Sequence, residues 1–535
     1  MEVDTQGLNQ QAKIAEDEQH KQSVWEALWA HPKAVFWSFM VSMCVIMEGY
    51  DTILLGNFFA YPQFARKFGT WIPSENQYQL TASWQAGLNN ASGVGAFFGA
   101  IANGYLVDRF GQKRVILASL VGLSMLLFIV FFAPNIEALL IGELLCGFPW
   151  GIFATASPAY ASEVLPLSLR VYMTSWTNMC FIIGQLIAAG VLAGLVDVSN
   201  EWSYRIPFAI QWVWPCFLFP ILCFAPESPW HLVRKDRLDE AKKSLERLIR
   251  SKEPDGSPNL TDIDNTLALI IHTDRMEREE LKIKTTYWQC FRGIDRRRTE
   301  IACVSFVGQV TAGMGFAYNS TYFFQQVGLT TDQTYKMNIG VTGLGLFGTL
   351  MSWLLVLPRF GRRTIYLAGM LICAIILFII GILTVDTSHK SIGMAQAVLC
   401  LVWTFFFQLT IGQLGWSLPA EIGSTRLRQK TVVLARDFYY IASTISSVLQ
   451  PYFMNPTAWN LKGYTGFFWG STALLTFVWA FFRLPETKGR SYDELNMLFS
   501  NHIAARSFQN CEVSSFEKKD SGEKEATVHV EKIDG

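Results

Sequence analysis

Long apolar runs separated by short polar segments dominate the chain from about residue 34 onwards. Windows such as 115–132, 206–224 and 367–385 contain almost no charged side chains. Each is close to the roughly 20 residues that a helix needs to cross about 30 Å of hydrocarbon. The runs are continuously apolar and lack the alternation of barrel strands, so they indicate helices. The pattern therefore predicts an all-α membrane protein.

Counting such windows gives about twelve predicted spans. They lie at 34–58, 82–107, 115–132, 137–159, 172–195, 206–224, 299–325, 337–357, 364–385, 393–417, 431–450 and 465–483. We predict two six-helix halves, 34–224 and 299–483, with an N-terminal tail (1–33), a middle segment (225–298) and a C-terminal tail (484–535). The first tail lacks the short apolar core of a secretory signal. Both tails are polar and mixed in charge, so we predict solvated tails, with a composition typical of disorder after Asn501.

Basic residues mark one side of the predicted membrane protein. The connections after the second, fourth, eighth and tenth spans carry Arg109, Lys113, Arg114, Arg170, Arg359, Arg362, Arg363, Arg426, Arg428 and Lys430. Connections on the other face hold only scattered basic residues. The exception is the pair Arg66–Lys67 in the first of these loops. By the positive-inside rule, both termini and the middle segment face the cytoplasm.

The middle segment is dense in charges of both signs. Leu and Ile recur there at helical spacing in 237–250 and 262–284, which predicts two amphipathic helices. Mixed charge runs are usually solvated faces, so we favour packing under the membrane helices over binding of a partner.

Composition removes several functional classes. Apolar residues make up 51% of the chain and charged residues 16%, and the formal net charge is zero, so nothing favours nucleic acid as a partner. The 10 cysteines lie singly and the 7 histidines are unpaired, so we predict neither disulfides nor a metal site. No phosphate-binding loop with its lysine is present, which argues against ATP hydrolysis as the energy source. We expect no cofactor and no enzymatic activity.

Two motifs recur in the two halves. The segment Asp108–Arg114 after the second span is echoed by Pro358–Arg363 after the eighth, and Glu163–Arg170 after the fourth is echoed by Glu421–Arg428 after the tenth. Six spans separate each pair, so both halves have the same orientation in the membrane. Such a parallel repeat predicts a transporter with a substrate site near the membrane centre between the halves.

Charged residues at these helix ends can form inter-helix pairs that hold one face shut and separate when it opens. The alternative is membrane anchoring by the basic residues alone. Because Glu recurs with Arg in both halves, we favour a latch. Its candidate residues are Asp108, Arg109, Arg114, Glu163, Arg170, Arg359, Arg363, Glu421 and Arg428.

These motifs, together with Pro226–Pro229 after the sixth span and Pro485–Gly489 after the twelfth, resemble the sugar porter family of the major facilitator superfamily from about Ala34 to Phe499. The segments Met47–Phe58 and Leu434–Tyr439 are similar to fungal maltose and α-glucoside permeases. The resemblance implies a symporter in the plasma membrane that uses the proton as its coupling ion. We expect a monomer whose partners are a sugar substrate and membrane lipid.

A sugar site needs hydrogen-bonding groups of fixed direction and an aromatic plate for the apolar face of the ring. Gln185, Gln309, Asn319 and Trp416 lie within predicted spans and are the candidates. The first two and Trp416 match motif positions of the family, whereas Asn319 and Gly315 depart from its pattern. The alternative for the amides is inter-helix hydrogen bonding.

Ionisable residues inside spans are costly and therefore candidates for proton coupling. Glu48 and Asp51 lie one turn apart in the first span, and Asp51 matches the proton-linked aspartate of the family. Glu143 replaces the usual arginine in the fourth span, and its predicted depth matches that of Asp51. Arg436 in the eleventh span is a further candidate, although the adjacent Asp437 could simply neutralise it. Some fungal maltose permeases carry an additional acid where this chain has Gly95.

The sequence leaves several functions open. The favoured function is proton-coupled uptake of an α-glucoside disaccharide such as maltose. The alternatives are passive or proton-coupled transport of another sugar (a monosaccharide, lactose or cellobiose) and a sugar sensor that does not transport.

Overall fold

The computed structural model describes residues 24–72, 77–249, 260–281, 287–318, 320–326, 328–385, 390–424, 427–455, 458–488, 490 and 492–511. In this part the chain is helical except for one hairpin, in which β1 (Thr70–Ile72) pairs antiparallel with β2 (Gln77–Gln79). The helices are α1 (Val24–Ala30), α2 (Pro32–Ser42), α3 (Val45–Phe58), α4 (Pro62–Phe68), α5 (Ala82–Phe110), α6 (Gln112–Phe131), α7 (Ile136–Val164), α8 (Leu167–Leu195), α9 (Trp202–Ile210), α10 (Val213–Cys223), α11 (Pro229–Arg234), α12 (Leu238–Leu248), α13 (Leu260–Leu281), α14 (Gly293–Thr311), α15 (Met314–Tyr318), α16 (Ser320–Gln326), α17 (Thr331–Met351), α18 (Leu357–Arg359), α19 (Arg362–Leu383), α20 (Lys390–Leu409), α21 (Ile411–Ile422), α22 (Arg428–Met454), α23 (Thr465–Arg483) and α24 (Tyr492–Ser500). Short 3-10 turns lie at Tyr287–Phe291, Lys462–Tyr464 and Ala505–Asn510, and a π-helical turn at Ser352–Val356.

Every predicted span coincides with one or more of these helices. Among the described residues, 11 helical stretches are both long and apolar enough to cross a membrane. The one predicted span outside this set is the second, 82–107, which is the continuous helix α5 of 29 residues. It is long enough to span, but polar side chains such as Gln85, Asn90 and Asn103 lower its hydropathy.

Several spans are built from two shorter helices. The first breaks between Ser42 and Val45, and the sixth between Ile210 and Val213. The seventh breaks at Gly313, whose φ of 99° is readily adopted only by glycine. The tenth breaks at Thr410, where the backbone leaves the helical region (φ −126°, ψ −82°). The first and sixth breaks keep right-handed helical dihedrals at the residues between the two helices. The breaks at Gly313 and Thr410 leave the helical region, and discontinuous helices of that kind can offer backbone groups for binding.

The two amphipathic helices predicted in the middle segment are confirmed as α12 and α13. Their apolar faces bury Ala241, Leu245, Ile263 and Ile270 against Leu232 and Val233 of α11. These contacts join the helices of the middle segment to one another, and Leu248 of α12 also packs with Ala34 and Ala161 of the membrane helices.

Both tails are more ordered near the membrane helices than the sequence analysis predicted. Helix α1 lies in the predicted N-terminal tail, and its Ala27 packs with Ala34 and Leu248 in a buried cluster. The prediction of a disorder-like tail after Asn501 is wrong for the residues up to Cys511, because Phe508 is fully buried and its ring contacts Phe499. A few aromatic residues are enough to dock this segment, although its composition is polar.

Glycines bring two helix pairs into backbone contact. Gly95 and Gly99 of α5 lie against the carbonyl oxygens of Leu144 and Phe148 of α7. Gly147 and Gly151 of α7 lie in the same way against Ser92 and Ala96 of α5. Small residues four apart allow this close approach of membrane helices, since a side chain there would collide with the neighbouring backbone. A second pair, α3 and α8, is joined similarly through Gly49 and Gly184.

The described chain divides into two compact units. The first contains the described residues up to Lys284 together with Thr330–Thr342 and Ser447–Ala458, and the second contains the remainder. In the first unit, the hydroxyl of Tyr335 donates to the backbone oxygen of Asn57 at 2.8 Å, so the beginning of α17 is bound to the end of α3.

Candidate functional site

Two carboxyl groups meet in the interior of the first unit. Asp51 of α3 is 1% exposed and Glu143 of α7 is fully buried, and the two side chains contact each other. The amide of Gln211, at the break of the sixth span, donates to Asp51 Oδ1 at 2.8 Å. Glu48, one turn before Asp51, is also buried, but the partners found at Asp51 are Gln211 and Glu143. The structure thus brings together the two acids that the sequence placed at one depth.

Helix α8 carries a second polar face in the first unit. Gln185 is 4% exposed, and its Nε2 has no hydrogen-bond partner among the described residues. Asn178 lies two turns earlier on the same helix, and its Nδ2 has no such partner either. A buried donor without a partner is costly, so these amides are suited to a hydroxyl-bearing ligand.

The candidate sugar residues of the second unit divide into two groups. Gln309 of α14 donates through Nε2 to the backbone oxygen of Gly412 at 2.9 Å, which is the inter-helix contact that the alternative interpretation described. Trp416 of α21 is partly exposed, with its ring edge-on to Phe306 at 5.5 Å. Asn319 lies outside the described residues. Gln413, one turn before Trp416, is 1% exposed, and neither amide atom has a hydrogen-bond partner in the described chain.

Arg436 of α22 is buried among aromatic rings. Its guanidinium carbon lies 4.4 Å from the centroid of the Trp416 ring, and three further rings approach it to within 5.3 Å. The adjacent Asp437 has an Oδ1 without a hydrogen-bond partner among the described residues, but its opposite charge attracts Arg436. The structure therefore places Arg436 beside a candidate sugar residue of its own unit.

The first latch acid, Glu163, binds within its own unit at the end of α7. Its carboxylate accepts hydrogen bonds from Ser228 Oγ at 2.5 Å and Gln112 Nε2 at 2.9 Å, and Arg234 Nη1 lies 3.4 Å away. Ser228 and Arg234 belong to the segment that follows the sixth span. Glu227, the residue before Ser228, accepts a hydrogen bond from the backbone N–H of Lys113 in the first turn of α6.

A carboxylate at a helix N-terminus satisfies free backbone donors and the positive end of the helix dipole. Burial raises the pKa of the Glu227 carboxyl above its usual range, while hydrogen bonds from the Lys113, Ser228 and Gln112 backbone oppose that shift. Glu227 therefore ties the connection after the sixth span to the start of α6.

The second unit repeats this arrangement. Glu421 accepts from Thr487 Oγ1 at 2.6 Å, and Arg362 Nε lies 3.6 Å from its carboxylate. Glu486 accepts from the backbone N–H groups of Arg362 at 2.7 Å and Arg363 at 3.2 Å, in the first turn of α19. Each unit therefore joins an acid at a helix end, a hydroxyl and a helix-capping glutamate.

The remaining latch candidates show no ion pair of this kind among the described side chains. Asp108, Arg109, Arg114 and Arg359 are exposed. Arg363 is partly buried and donates through Nη2 to the backbone oxygen of Phe481 at 2.9 Å. The side chains of Arg170 and Arg428 lie outside the described part of the chain, so a pairing of Glu421 with Arg428 stays a prediction.

Sequence reasoning missed several residues of these sites. Glu227, Ser228, Glu486 and Thr487 stood in motifs that we used only for the resemblance. Their recurrence as Pro-Glu-Ser and Pro-Glu-Thr after the last span of each half was a signal that they share a role. Gln211 was also missed, although an amide in an otherwise apolar span is the kind of residue that pairs with a buried acid.

A helical membrane protein with a buried acid pair, span amides that lack partners among the described residues, and motifs repeated in each unit has the features of a membrane transporter. The chain matches the family model "Sugar (and other) transporter" over residues 37–499. It is 38% identical over 509 residues to the general alpha-glucoside permease of Saccharomyces cerevisiae, covering 95% of this chain and 82% of that protein. It is 37% identical over 529 residues to the maltose permease MAL31 of the same organism, covering 98% and 85%.

Among solved structures, the proton:xylose symporter XylE bound to 6-bromo-6-deoxy-D-glucose superimposes with a TM-score of 0.71 at 20% identity, covering 88% of this chain and all of that one. This likeness establishes the major facilitator fold. The chain belongs to the sugar transporter family of the major facilitator superfamily. It is therefore a multi-pass membrane sugar transporter and not an enzyme.

Proposed function

We propose that this transporter takes up an α-glucoside disaccharide such as maltose together with a proton, by alternating access, in the plasma membrane with both termini in the cytoplasm. The identity to α-glucoside and maltose permeases over nearly the whole chain supports the substrate class. The distribution of Lys and Arg supports the orientation. The observation that carries the coupling is the contact between Asp51 and Glu143.

Two carboxylates in contact repel each other strongly where no water screens them, so a proton shared between them is stabilising. Asp51 and Glu143 are both buried, and Gln211 holds Asp51 in place from a third span. Binding of the sugar would close the outer face with the proton on the pair. Inward opening would hydrate the pair and release the proton to the cytoplasm.

Sugar contacts are proposed in each unit separately. In the first unit, Gln185 and Asn178 offer amides whose donors are unpartnered among the described residues. In the second, Trp416 offers an aromatic face, and Gln413 offers both a donor and an acceptor. Amides that hydrogen-bond hydroxyls, beside an aromatic plate for the apolar ring face, are the groups that a sugar requires. Gln309 and Asn319 are kept as weaker candidates.

The charged networks at the helix ends are proposed to act as latches of the cytoplasmic side. Glu163 and Glu421 each bind a hydroxyl and an arginine of their own unit. Release of these contacts would free the helix ends to move when that side opens.

The first prediction tests the coupling. Asp51→Asn and Glu143→Gln, made separately, are each expected to abolish proton-driven accumulation of labelled maltose and to spare downhill exchange, because each removes one partner of the shared proton. The measurement is uptake into yeast lacking its own maltose transporters, with and without a protonophore. The matched control is Glu137→Gln, an exposed acid in the first turn of the same helix α7, which should accumulate maltose like the parent.

The possible outcomes separate the alternatives. Accumulation by Glu143→Gln at the parental level would rule out the pair and leave Asp51 with another partner. If the protonophore leaves maltose uptake by the parent unchanged, the protein is a passive transporter. Failure of the parent to take up any of maltose, glucose, lactose or cellobiose, while present at the surface, would favour a sensor.

A further inference from the structure

Arg436 lies in a box of four aromatic rings, which we call the Arg436 aromatic box. Its guanidinium carbon is 4.4 Å from the ring centroid of Trp416, 4.7 Å from Tyr440, 5.0 Å from Tyr439 and 5.3 Å from Phe306. The rings come from three helices, α14, α21 and α22. Arg436 itself is only 5% exposed.

A guanidinium over an aromatic face is attracted by the ring quadrupole, and the attraction grows when the pair is desolvated. A charged side chain within a membrane span is otherwise costly. Four rings around one guanidinium thus stabilise its charge. The same contacts with the guanidinium restrict the orientation of the rings. Trp416 has the shortest contact of the four.

Two side chains contact the ring of Trp416 in different ways. Arg436 covers a face of the indole, and Phe306 meets the ring edge-on with an interplanar angle of 69°. The indole nevertheless stays partly exposed, whereas Arg436 and Phe306 are buried. Part of the indole surface is therefore accessible, although these two neighbours are closed to solvent.

We infer that Arg436 is a positioning residue for sugar recognition: it holds the indole of Trp416 from one face so that the opposite face can stack on the sugar ring. This inference rests on the proposed function, in which Trp416 contacts the sugar. It gives Arg436 a different task from the proton coupling expected from its place in a span.

The two tasks differ in what a substitution changes. Loss of positioning lowers the affinity for the sugar and leaves proton-driven accumulation intact at saturating sugar. Loss of coupling abolishes accumulation and leaves the affinity for downhill exchange unchanged. A split between KM and accumulation ratio therefore decides between them.

The experiment uses the full chain in yeast lacking its own maltose transporters and measures the KM of labelled maltose exchange, the accumulation ratio and the surface abundance. Arg436→Met keeps the length of the side chain and removes its charge, and we expect it to raise KM about tenfold. Arg436→Lys keeps a cation but loses the flat contact, and it should lie between the parent and Arg436→Met. The accumulation ratio should stay at the parental value in both.

Trp416→Ala tests the route of the effect. If Arg436 acts through Trp416, adding Arg436→Met to Trp416→Ala will leave KM where Trp416→Ala alone put it. The matched control is Arg506→Met. Arg506 also lies over two aromatic rings, those of Phe481 and Phe482, but at the end of the second unit that we predict to face the cytoplasm. This variant should not change KM.

Each result has one meaning. A raised KM in Trp416→Ala with an unchanged KM in Arg436→Met, or with additive effects in the double variant, overturns the inference and leaves the sugar contact in place. An unchanged KM in Trp416→Ala removes Trp416 from the site and with it that part of the proposed function. If Arg436→Met does not reach the surface, Arg436→Lys decides, because a parental KM in that variant also overturns the inference.

Discussion

At the scale of single residues, some glycines stand where a neighbouring helix backbone leaves no room for a side chain. A methyl group built on Gly95 would collide with the backbone oxygen of Leu144 and approach the Cα of Gly147 to 2.9 Å. Gly93 lies on the same helix α5, and a methyl group there would meet no atom of the described residues within 4 Å. The two glycines therefore have opposite tolerance for a side chain.

We predict that Gly95→Ala destabilises the folded protein by about 1–3 kcal/mol, because α5 and α7 must move apart to admit the methyl group. Gly93→Ala should be neutral or stabilising by up to about 1 kcal/mol, since alanine favours the helix. Thermal unfolding of the detergent-purified variants compares the two. Equal melting temperatures for Gly95→Ala and Gly93→Ala would contradict the tight contact.

The candidate site could be predicted from the sequence only where a residue type was itself unusual. Asp51 and Glu143 stood out because acids within spans are rare and costly, and their depths could be counted along the helices. The partner Gln211 and the box around Arg436 depend on how helices rotate and pack, which apolar sequences do not specify residue by residue. Gln309 looked like a ligand residue, but its amide donates to the backbone oxygen of Gly412 in the first turn of a neighbouring helix.

At the scale of elements, α24 and the segment that follows it are held by two arginines of α14 and by Arg490. The guanidinium of Arg298 lies 4.5 Å from the ring centroid of Phe499, and Arg297 Nη1 donates to the backbone oxygen of Ile503 at 2.9 Å. Arg490 donates to the backbone oxygen of Phe508 at 3.0 Å. The 3-10 turn Ala505–Asn510 is therefore part of the folded second unit.

We predict that a chain ending after Cys511 unfolds at the parental temperature, whereas a chain ending after Asn501 unfolds at a markedly lower one. The shorter chain loses the buried ring of Phe508 and the carbonyl groups that Arg297 and Arg490 bind. Phe508→Ala in the full chain should cost about 3–5 kcal/mol, as for other buried phenylalanines. Identical melting of the two truncated chains would show that the segment contributes nothing to stability.

Whole elements were predictable from the sequence because length and apolar content alone define a span. The breaks within spans were not. Gly313 could have been suspected as a break, but glycine is common in membrane helices. The first span breaks between Ser42 and Val45 without glycine or proline, so only its packing reveals the interruption.

At the scale of the whole molecule, the repeated motifs build the same network once in each unit. Glu163 with Ser228 in the first unit corresponds to Glu421 with Thr487 in the second. These partners come from different motifs of one half, which explains why comparing single motifs did not find them.

We predict that the networks act independently. Ser228→Ala and Glu163→Gln should be non-additive by about 0.5–3 kcal/mol in the free energy of unfolding, as should Thr487→Val and Glu421→Gln, because each pair removes one shared contact. Ser228→Ala combined with Thr487→Val should be additive within about 0.5 kcal/mol. Thermal unfolding and the maximal uptake rate are the measurements. Additivity within a half would mean that the hydroxyl and the acid do not act as a unit.

The glycine contact between α5 and α7 also limits where an acid can stand in this fold. At Gly95 the place of a side chain is closed by the backbone oxygen of Leu144, the residue after Glu143. A mutation that introduced a carboxylate at position 95 would push away the very helix that presents Glu143 to Asp51. On this backbone, a carboxylate at position 95 and the pair of Asp51 with Glu143 exclude one another. A variant that carried all three acids would need compensating changes along α7, so the placement of the acids and the spacing of the helices are coupled.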